Sequence, residues 1–451
     1  MNKKYKFIIP VVAIFSALTS SAQTSENHLK LLNPLSIITK DDLLKDKNAL
    51  KKFHPGVFKN FSERKYDSLI EAVSITLPKD SVTETQKSLI RRKVLDIIMY
   101  EDPHLRFVPK LTTVSGKKLN FKSIKVLPCD FLCINDTLLV HKSYSPSINK
   151  GDRIICINGE NSKDYLNSSY RDRYSPAILL QAPHHLKFSH SYNLLIERDG
   201  KRKVINVDGI SLTKTIYNKA PFFEQVFSDF ETGYFRISNF DFNKHLVTRL
   251  RRFLKKLERD NITNLIIDIR ENKGGSGDRF DEIFSMLSNK KKLIYQSDAK
   301  IKISNDNYKE YNFNKDMIGE VVSLPEKELV KEFALDSTKL IGEIDCFVLV
   351  SRDTGSVAAS FANIMNYNNI GTLVGEPLSH NALKYGDVII AKRDNSRWVI
   401  STIEYVEHSN SQDGILYPDI YIPFKANEYL KGGDPVLEEC LDLIKANSKE
   451  N

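Results

Sequence analysis

Apolar residues along this chain recur at two periods, and each change of period marks a change of architecture. Residues 29 to about 102 read as helical. Their clearest segment begins at Thr83 with Gln86 three residues on, a capping box, and carries Ile90, Val94 and Ile97 on one face. Asp102-Pro103-His104 ends it, because proline cannot continue a helix, and leaves His104 in the following loop. From about 120 to 207 the pattern is strand-like, with Leu138 to His141, Arg153 to Ile157, and Tyr192 to Ile196 before a hairpin turn at Asp199-Gly200. From about 230 strand and helix alternate, which predicts an α/β layer of mostly parallel strands. Tyr234 to Ile237 is a strand, Leu246, Leu250, Phe253, Leu254 and Leu257 line one face of a helix, and Leu265 to Ile269 is a short buried strand. Asp387 to Val406 reads as a hairpin turned at Asp394-Asn395, with Trp398 and Tyr405 in its packing.

Two of these strands end in small-residue turns that open helices. Leu265 to Ile269 runs into Arg270-Glu271-Asn272-Lys273-Gly274-Gly275-Ser276-Gly277, then a helix through Phe280, Ile283 and Leu287. Cys346 to Val350 runs into Asp353-Thr354-Gly355-Ser356-Val357 and a second helix. Loops at the carboxyl ends of neighbouring parallel strands face one crevice, so a serine on one can meet backbone N–H groups on the other. Gly355 permits a sharp turn before Ser356, and the amide of Val357 then helps to hold an oxyanion. Gly274 or Gly275 supplies the second donor, since glycine lets an N–H point inward. Taken singly, each turn also reads as a plain strand-to-helix connection with Ser356 as an N-cap.

Composition sets the compartment more than the chemistry. The chain has 451 residues, 41% hydrophobic and 27% charged, an ordinary globular balance that excludes collagen-like and disordered classes. Residues 1–22 read as a secretory signal: a basic start at Lys3, Lys4 and Lys6, an apolar stretch from Phe7 to Leu18, then Ser20-Ser21-Ala22. Without them the formal charge of +9 falls to +6, and Arg249 to Lys256 and Lys290 to Lys292 read as solvated faces. A nucleic-acid partner is therefore not expected. The 12-residue, mainly apolar stretch from Phe7 to Leu18 falls short of the roughly 20 residues that span a bilayer, so the expectation is an exported protein beginning at Gln23. It is periplasmic or secreted, without stable membrane insertion. Of five cysteines, Cys129 and Cys133 are close enough to pair across a turn, while Cys156 and Cys346 read as buried thiols. None has metal-site spacing, and His184-His185 lacks a matching cluster, so neither a metal nor another cofactor is expected.

Gly151-Asp152-Arg153-Ile154-Ile155-Cys156-Ile157-Asn158-Gly159 resembles the "GD-x-I-x-x-I-N-G" strand of PDZ domains, modules that take up an extended peptide as an added strand. A plain β-hairpin gives the same pattern.

The two turns, taken together and in this order, resemble the tail-specific or C-terminal processing serine peptidases, and more closely their tricorn-like branch. Leu265-Ile266-Ile267-Asp268-Ile269-Arg270, with Asn272, Gly274 and Gly275, is similar to that family's "LIIDLR-x-N-x-GG". Thr354-Gly355-Ser356 is similar to its "T-A-S" turn, Val374-Gly375-Glu376-Pro377 to its "VGEPT" strand end, and Tyr417-Pro418-Asp419-Ile420 to its "PDI" segment. Phe53-His54-Pro55 and Asp102-Pro103-His104 resemble the "HP…D-G-H" portion of exported members, although His54 itself reads as a packing or capping residue. The resemblance implies an α/β, multidomain α+β chain: an N-terminal helical bundle over 23–115, a PDZ-like β-rich module over 116–215, a peptidase core with a mixed sheet and crossover helices (ClpP/crotonase-like) over 216–430, and a C-terminal helix or tail over 431–451.

It also implies Ser356 as nucleophile and the amides of Val357 and Gly274 or Gly275 as the oxyanion hole. Where the processing branch has its lysine base, 25 residues after the serine, this chain has Asn381, which cannot take a proton. The tricorn-like branch uses a histidine from the helical region, and His104 falls there; Lys384 and His380 are the rival bases. In that branch an auxiliary serine precedes the histidine, where Pro103 stands here, and a glutamate near the last strand orients the group. Asp413, beside Gly414, is the nearest replacement, and it also reads as a plain Asp-Gly turn. The expected function is an exported serine-type peptidase cleaving peptides or unfolded protein tails through an acyl-enzyme, with homo-oligomers left open. The alternative is a peptidase fold without catalysis that binds peptide or a lipophilic ligand.

Overall fold

The computed structural model describes residues 31–447 except 33–34, 58–61, 81, 84–90, 92–93, 95–101, 103, 110–111, 114–124, 135–136, 163–189, 212–219, 242, 333–343, 380–381, 394–395, 406–410, 413, 426–427 and 430. Residues 1–22 and His184-His185 fall outside this set.

Two helices follow the short strands Leu31–Leu32 and Leu35–Ser36 that open the described chain. Helix α1 (Lys40–Phe53) starts from a capping box between Thr39 and Asp42, with Asp41 and Asp42 in its first turn and Lys51 and Lys52 in its last, the polarity its macrodipole favours. Helix α2 (Glu63–Ile75) is capped by the Ser62 side chain. Leu43, Leu50 and Phe53 of α1 and Tyr66 and Ile70 of α2 share one core, which Trp398 and Ile400 complete. The predicted helix start at Thr83 is corrected: Thr83 sits in a two-residue strand paired with Leu35. Arg91 and Val94 are helical, and Gln86, Ile90 and Ile97 lie outside the described residues. Tertiary pairing here overrides a local capping signal. Strand β1 (Arg106–Pro109) begins two residues after His104.

A β-rich module comes next, with strands β2 (Cys129–Ile134), β3 (Thr137–Ser143), β4 (Arg153–Ile157), β5 (Ser191–Arg198) and β6 (Lys201–Asp208). They form an antiparallel sheet in the order β6-β5-β4-β3-β2 over a core of its own, including Phe131, Val140, Ile154, Tyr192 and Ile196. The turn from β5 to β6 has Asp199 at φ 51° and Gly200 at φ 72°, the left-handed pair that a two-residue hairpin favours. A Cys129–Cys133 bridge, left open by the spacing, is excluded. Both residues lie on β2, four positions apart in one extended strand, about 13 Å at a strand's rise per residue. A disulfide needs Cα atoms within about 7 Å, and Cys129 is a free, buried thiol.

The remaining chain builds the α/β core. Strands β7 (Phe222–Phe227), β8 (Thr232–Ile237) and β9 (Asn264–Asp268) are followed by β10 (Ala299–Lys302), β11 (Val321–Ser323), β12 (Asp345–Val350), β13 (Thr372–Gly375), β14 (Tyr385–Arg393), β15 (Ser396–Tyr405) and β16 (Ile420–Tyr421). The main sheet runs β7-β8-β9-β12-β13-β16, parallel throughout except for the antiparallel pair β7–β8. Helices α3 (Asn243–Arg259), α4 (Phe280–Leu287) and α5 (Val357–Tyr367) pack with Leu265, Ile267, Val348 and Val350 on one face. Helix α6 (Pro435–Asn447) covers Ile266, Phe347 and Leu349 on the other. Burial on both faces explains why β9 and β12 read as unbroken apolar runs. A second sheet, β11-β10-β15-β14, takes β1 as an added strand along β15.

Candidate active site

Strands β9 and β12 lie side by side, Asp268 opposite Leu349, so the segments leaving their carboxyl ends meet in one crevice. The loop after β9 is held at its root by Arg270, which binds Asp268 at 3.0 and 2.7 Å and Asp434 at 2.7 Å through each of two nitrogens. The Tyr234 hydroxyl donates to the same Asp268 carboxylate at 2.6 Å. Burial would raise the Asp268 carboxyl, but the Arg270 charge and these donors hold it below its ordinary value.

Cross-links then fasten this loop to the turn after β12. The buried Asn272 donates from Nδ2 to the Ile237 carbonyl at 3.1 Å, accepts the Gly274 N–H on Oδ1 at 2.9 Å, and accepts the Gly355 N–H on its carbonyl at 3.0 Å. Ser351 Oγ donates to the Arg270 carbonyl at 2.6 Å and Thr354 Oγ1 to the Ile269 carbonyl at 3.1 Å. An ion pair between Lys273 and Asp353 closes the outer edge.

On this frame Ser356 adopts φ 53° and ψ −127°, at the N-cap of α5. A side chain held at positive φ in such a turn costs about 1–3 kcal/mol, a cost typical of a residue whose surroundings over-determine it. The strained turn exposes Oγ above the sheet and aligns the helix N-terminus with the crevice. Gly274 has φ 110° and Gly275 φ 140°, and a Cβ at Gly274 would lie 2.7 Å from the Ser356 Cβ. Because the Gly274 amide is taken by Asn272, Gly275 and Val357 carry the amides without a partner among the described residues. Asp241 adjoins the same loop: a Cβ at Gly275 would stand 3.0 Å from its Oδ1, and burial pushes its carboxyl up.

His104 reaches Ser356 from the N-terminal part of the chain. β1 pairs antiparallel with β15, Arg106 opposite Val399 and Phe107 opposite Trp398, and this carries the residues just before β1 to the crevice. His104 Nε2 lies 3.1 Å from Ser356 Oγ. Its Nδ1 lies 3.5 Å from Asp102 Oδ1, longer than a formed hydrogen bond. The Asp102 carboxylate is buried and accepts from the His104 N–H at 2.8 Å, Ser401 Oγ at 3.1 Å and His54 Nε2 at 3.2 Å. Burial would raise its pKa, yet the donors from His104 and His54 outweigh that and hold it far below the usual carboxylate range.

The structure therefore brings together Ser356, His104, Gly275 and Val357, with Gly274 one hydrogen bond removed. Lys384 directs its ammonium over the Tyr385 ring, 5.7 Å from the centre, and the hydrogen-bond partner of Ser356 Oγ is His104. His380, Asn381 and Asp413 lie outside the described residues. Sequence reasoning missed Asp102 as a partner of His104, although the signal was present in the two-residue spacing of Asp102-Pro103-His104. It also left His54 out of the site.

Residues 231–421 match the family model described as Peptidase family S41. Among solved structures, mature CPAF complexed with lactacystin is similar at a TM-score of 0.61 and 14% identity, over 91% of this chain and 98% of that one. The photosystem II D1 C-terminal processing protease is similar at 0.50 and 16% identity, over 91% and 98% respectively. At these identities the likeness is one of fold. No curated protein sequence matches the chain. With the match spanning strands β8 to β16 and both turns, and the fold of a processing protease around them, residues 231–421 form a peptidase family S41 domain and the chain is a serine-type peptidase.

Proposed function

We propose that the chain is an exported endopeptidase that cleaves extended peptides or unfolded protein tails through an acyl-enzyme on Ser356. The observation that carries this reading is the 3.1 Å approach of His104 Nε2 to Ser356 Oγ in a strained turn beside two unpartnered amides. His104 takes the Oγ proton as Oγ bonds to the scissile carbonyl carbon. The Gly275 and Val357 N–H groups hold the oxyanion that forms, at the positive end of α5. The intermediate collapses as the C–N bond breaks and His104 returns the proton to the leaving amine. Water then repeats the sequence on the ester, giving the acid product and free Ser356. Asp102 keeps the His104 proton on Nδ1 and stabilises the imidazolium; the 3.5 Å separation shortens as that charge develops.

Export rests on residues 1–22, and among the described residues no helix is long and apolar enough to cross a membrane. The proposed division assigns 23–115 to a helical region that delivers His104, 116–215 to a PDZ-like module that engages peptide, 216–430 to the core and 431–451 to the C-terminal helix and tail. The test is mass-spectrometric profiling of a diverse peptide library with residues 23–451, beside folded Ser356→Ala. Cleavage lost in the variant establishes the serine mechanism, and its cut sites define specificity. Cleavage by both proteins, or by neither, overturns it.

A further inference from the structure

Phe53-His54-Pro55, at the C-terminal end of α1, takes no part in the steps above, yet His54 is only 1% exposed and points at the Asp102 carboxylate. Its protonation pattern is set by its surroundings. Nδ1 accepts the Gly56 N–H at 3.0 Å, so the ring proton sits on Nε2 and is donated to Asp102 Oδ2 at 3.2 Å. The ring packs on Tyr385 with centroids 4.8 Å apart, and a Cβ at Gly56 would overlap the Tyr385 hydroxyl, so the short turn that presents Gly56 N–H needs glycine.

The two oxygens of Asp102 are loaded unequally. Oδ1 accepts from the His104 N–H and Ser401 Oγ and also faces His104 Nδ1, whereas Oδ2 has His54 as its partner among the described residues. A carboxylate rotates about a soft terminal bond, so a donor on Oδ2 fixes the plane in which Oδ1 meets Nδ1. We propose that His54 is a positioning residue for the Ser356–His104 pair: it locks the Asp102 carboxylate toward His104 and, as a neutral donor, shares the charge that stabilises the His104 imidazolium. The titratable groups around this set are Asp102, His104 and His54, with Tyr385 against the His54 ring and the Lys384 ammonium over Tyr385.

This inference rests on the reading of His104 as the base, and two variants of the full mature chain separate it from simple packing. His54→Phe keeps the ring against Tyr385 and removes the donor; His54→Gln keeps an amide N–H near the Nε2 position and removes the ring. On a peptide from the library, His54→Phe is expected to lower kcat about tenfold with KM unchanged, the scale of one hydrogen bond to a charged group. It also moves the acidic limb of the pH profile upward, because an unshared Asp102 charge favours protonated His104. His54→Gln restores both. NMR titration of the ¹³C-labelled His104 ring in a Ser356→Ala background reads the same shift without any cleavage, so the peptidase reading can fail separately. Full activity and an unmoved His104 titration in His54→Phe, or a larger loss in His54→Gln than in His54→Phe, would overturn the proposal.

Discussion

The Gly274 amide donates to Asn272 Oδ1 at 2.9 Å, and this one bond decides which glycine of the pair faces the crevice with an unspent N–H. Asn272 is 0% exposed, and three of its hydrogen bonds reach β8, the glycine loop and the turn that carries Ser356. Asn272→Ala strands the Gly274 N–H and the Ile237 carbonyl, at about 1–3 kcal/mol for each group left unsatisfied. The expected result is a lower denaturation midpoint together with a loss of kcat/KM of about 10²-fold or more, since one oxyanion donor is worth that much. Urea melts and steady-state kinetics on the same preparation check it.

Ser356 holds a positive φ that glycine adopts at little cost. Ser356→Gly is therefore expected to abolish cleavage while raising stability above that of both wild type and Ser356→Ala, by about 1 kcal/mol as the stored backbone strain is relieved. Equilibrium unfolding of the three proteins measures this. Equal stability of the glycine and alanine variants would mean that the turn stores no strain.

Asp102 carries a pH signature. Its carboxyl is depressed in the folded chain, so it contributes stability above the unfolded value of about 3.9 and loses it as pH falls toward the folded value. Asp102→Asn removes that contribution. The variant is expected to be less stable than wild type at pH 7, with the gap narrowing below about pH 4 as the wild-type carboxylate takes up its proton. Its turnover falls about 10³- to 10⁴-fold, because an amide no longer fixes the His104 tautomer. Chemical denaturation at several pH values and kcat at neutral pH test the two halves independently.

Much of this arrangement was legible because it is local. Strands β9 and β12 are runs of buried apolar residues, and the turn after β9 carries Gly274 and Gly275 where φ is positive, so pattern pointed to two turns facing one crevice, and the family resemblance then singled out Ser356 and Val357. What escaped was non-local. Nothing in Arg106–Pro109 announces that it pairs with Ser396–Val399, some 290 positions away, yet that pairing brings His104 and Asp102 to Ser356. Strands β10 and β11 are short, β10 joining β15 from a distance and β11 joining β10, so their periodicity is weak. Asp102 was overlooked for a different reason: the resemblance directed attention to a carboxylate late in the chain, Asp413, when one two residues before His104 already faced it. The choice between Gly274 and Gly275 depends on a side-chain hydrogen bond that spacing cannot reveal.

Asp241 supplies the opposite sign. Its carboxyl is raised by burial and stands beside Gly275, in the loop proposed to hold the oxyanion. A raised folded value means that the group favours the fold below its unfolded value, near 3.9, and that this advantage is lost as pH climbs through the folded value. Above that window an ionised Asp241 also opposes the oxyanion through the Coulomb interaction. Asp241→Asn keeps the shape and removes the charge. It is expected to leave stability at low pH nearly unchanged, to raise it relative to wild type near neutrality, and to increase kcat on the alkaline side more than on the acidic side. Paired pH–rate profiles and denaturation curves read both effects. A uniform fall in kcat at all pH values would instead mean that the carboxylate binds substrate, and the electrostatic account of Asp241 would be wrong.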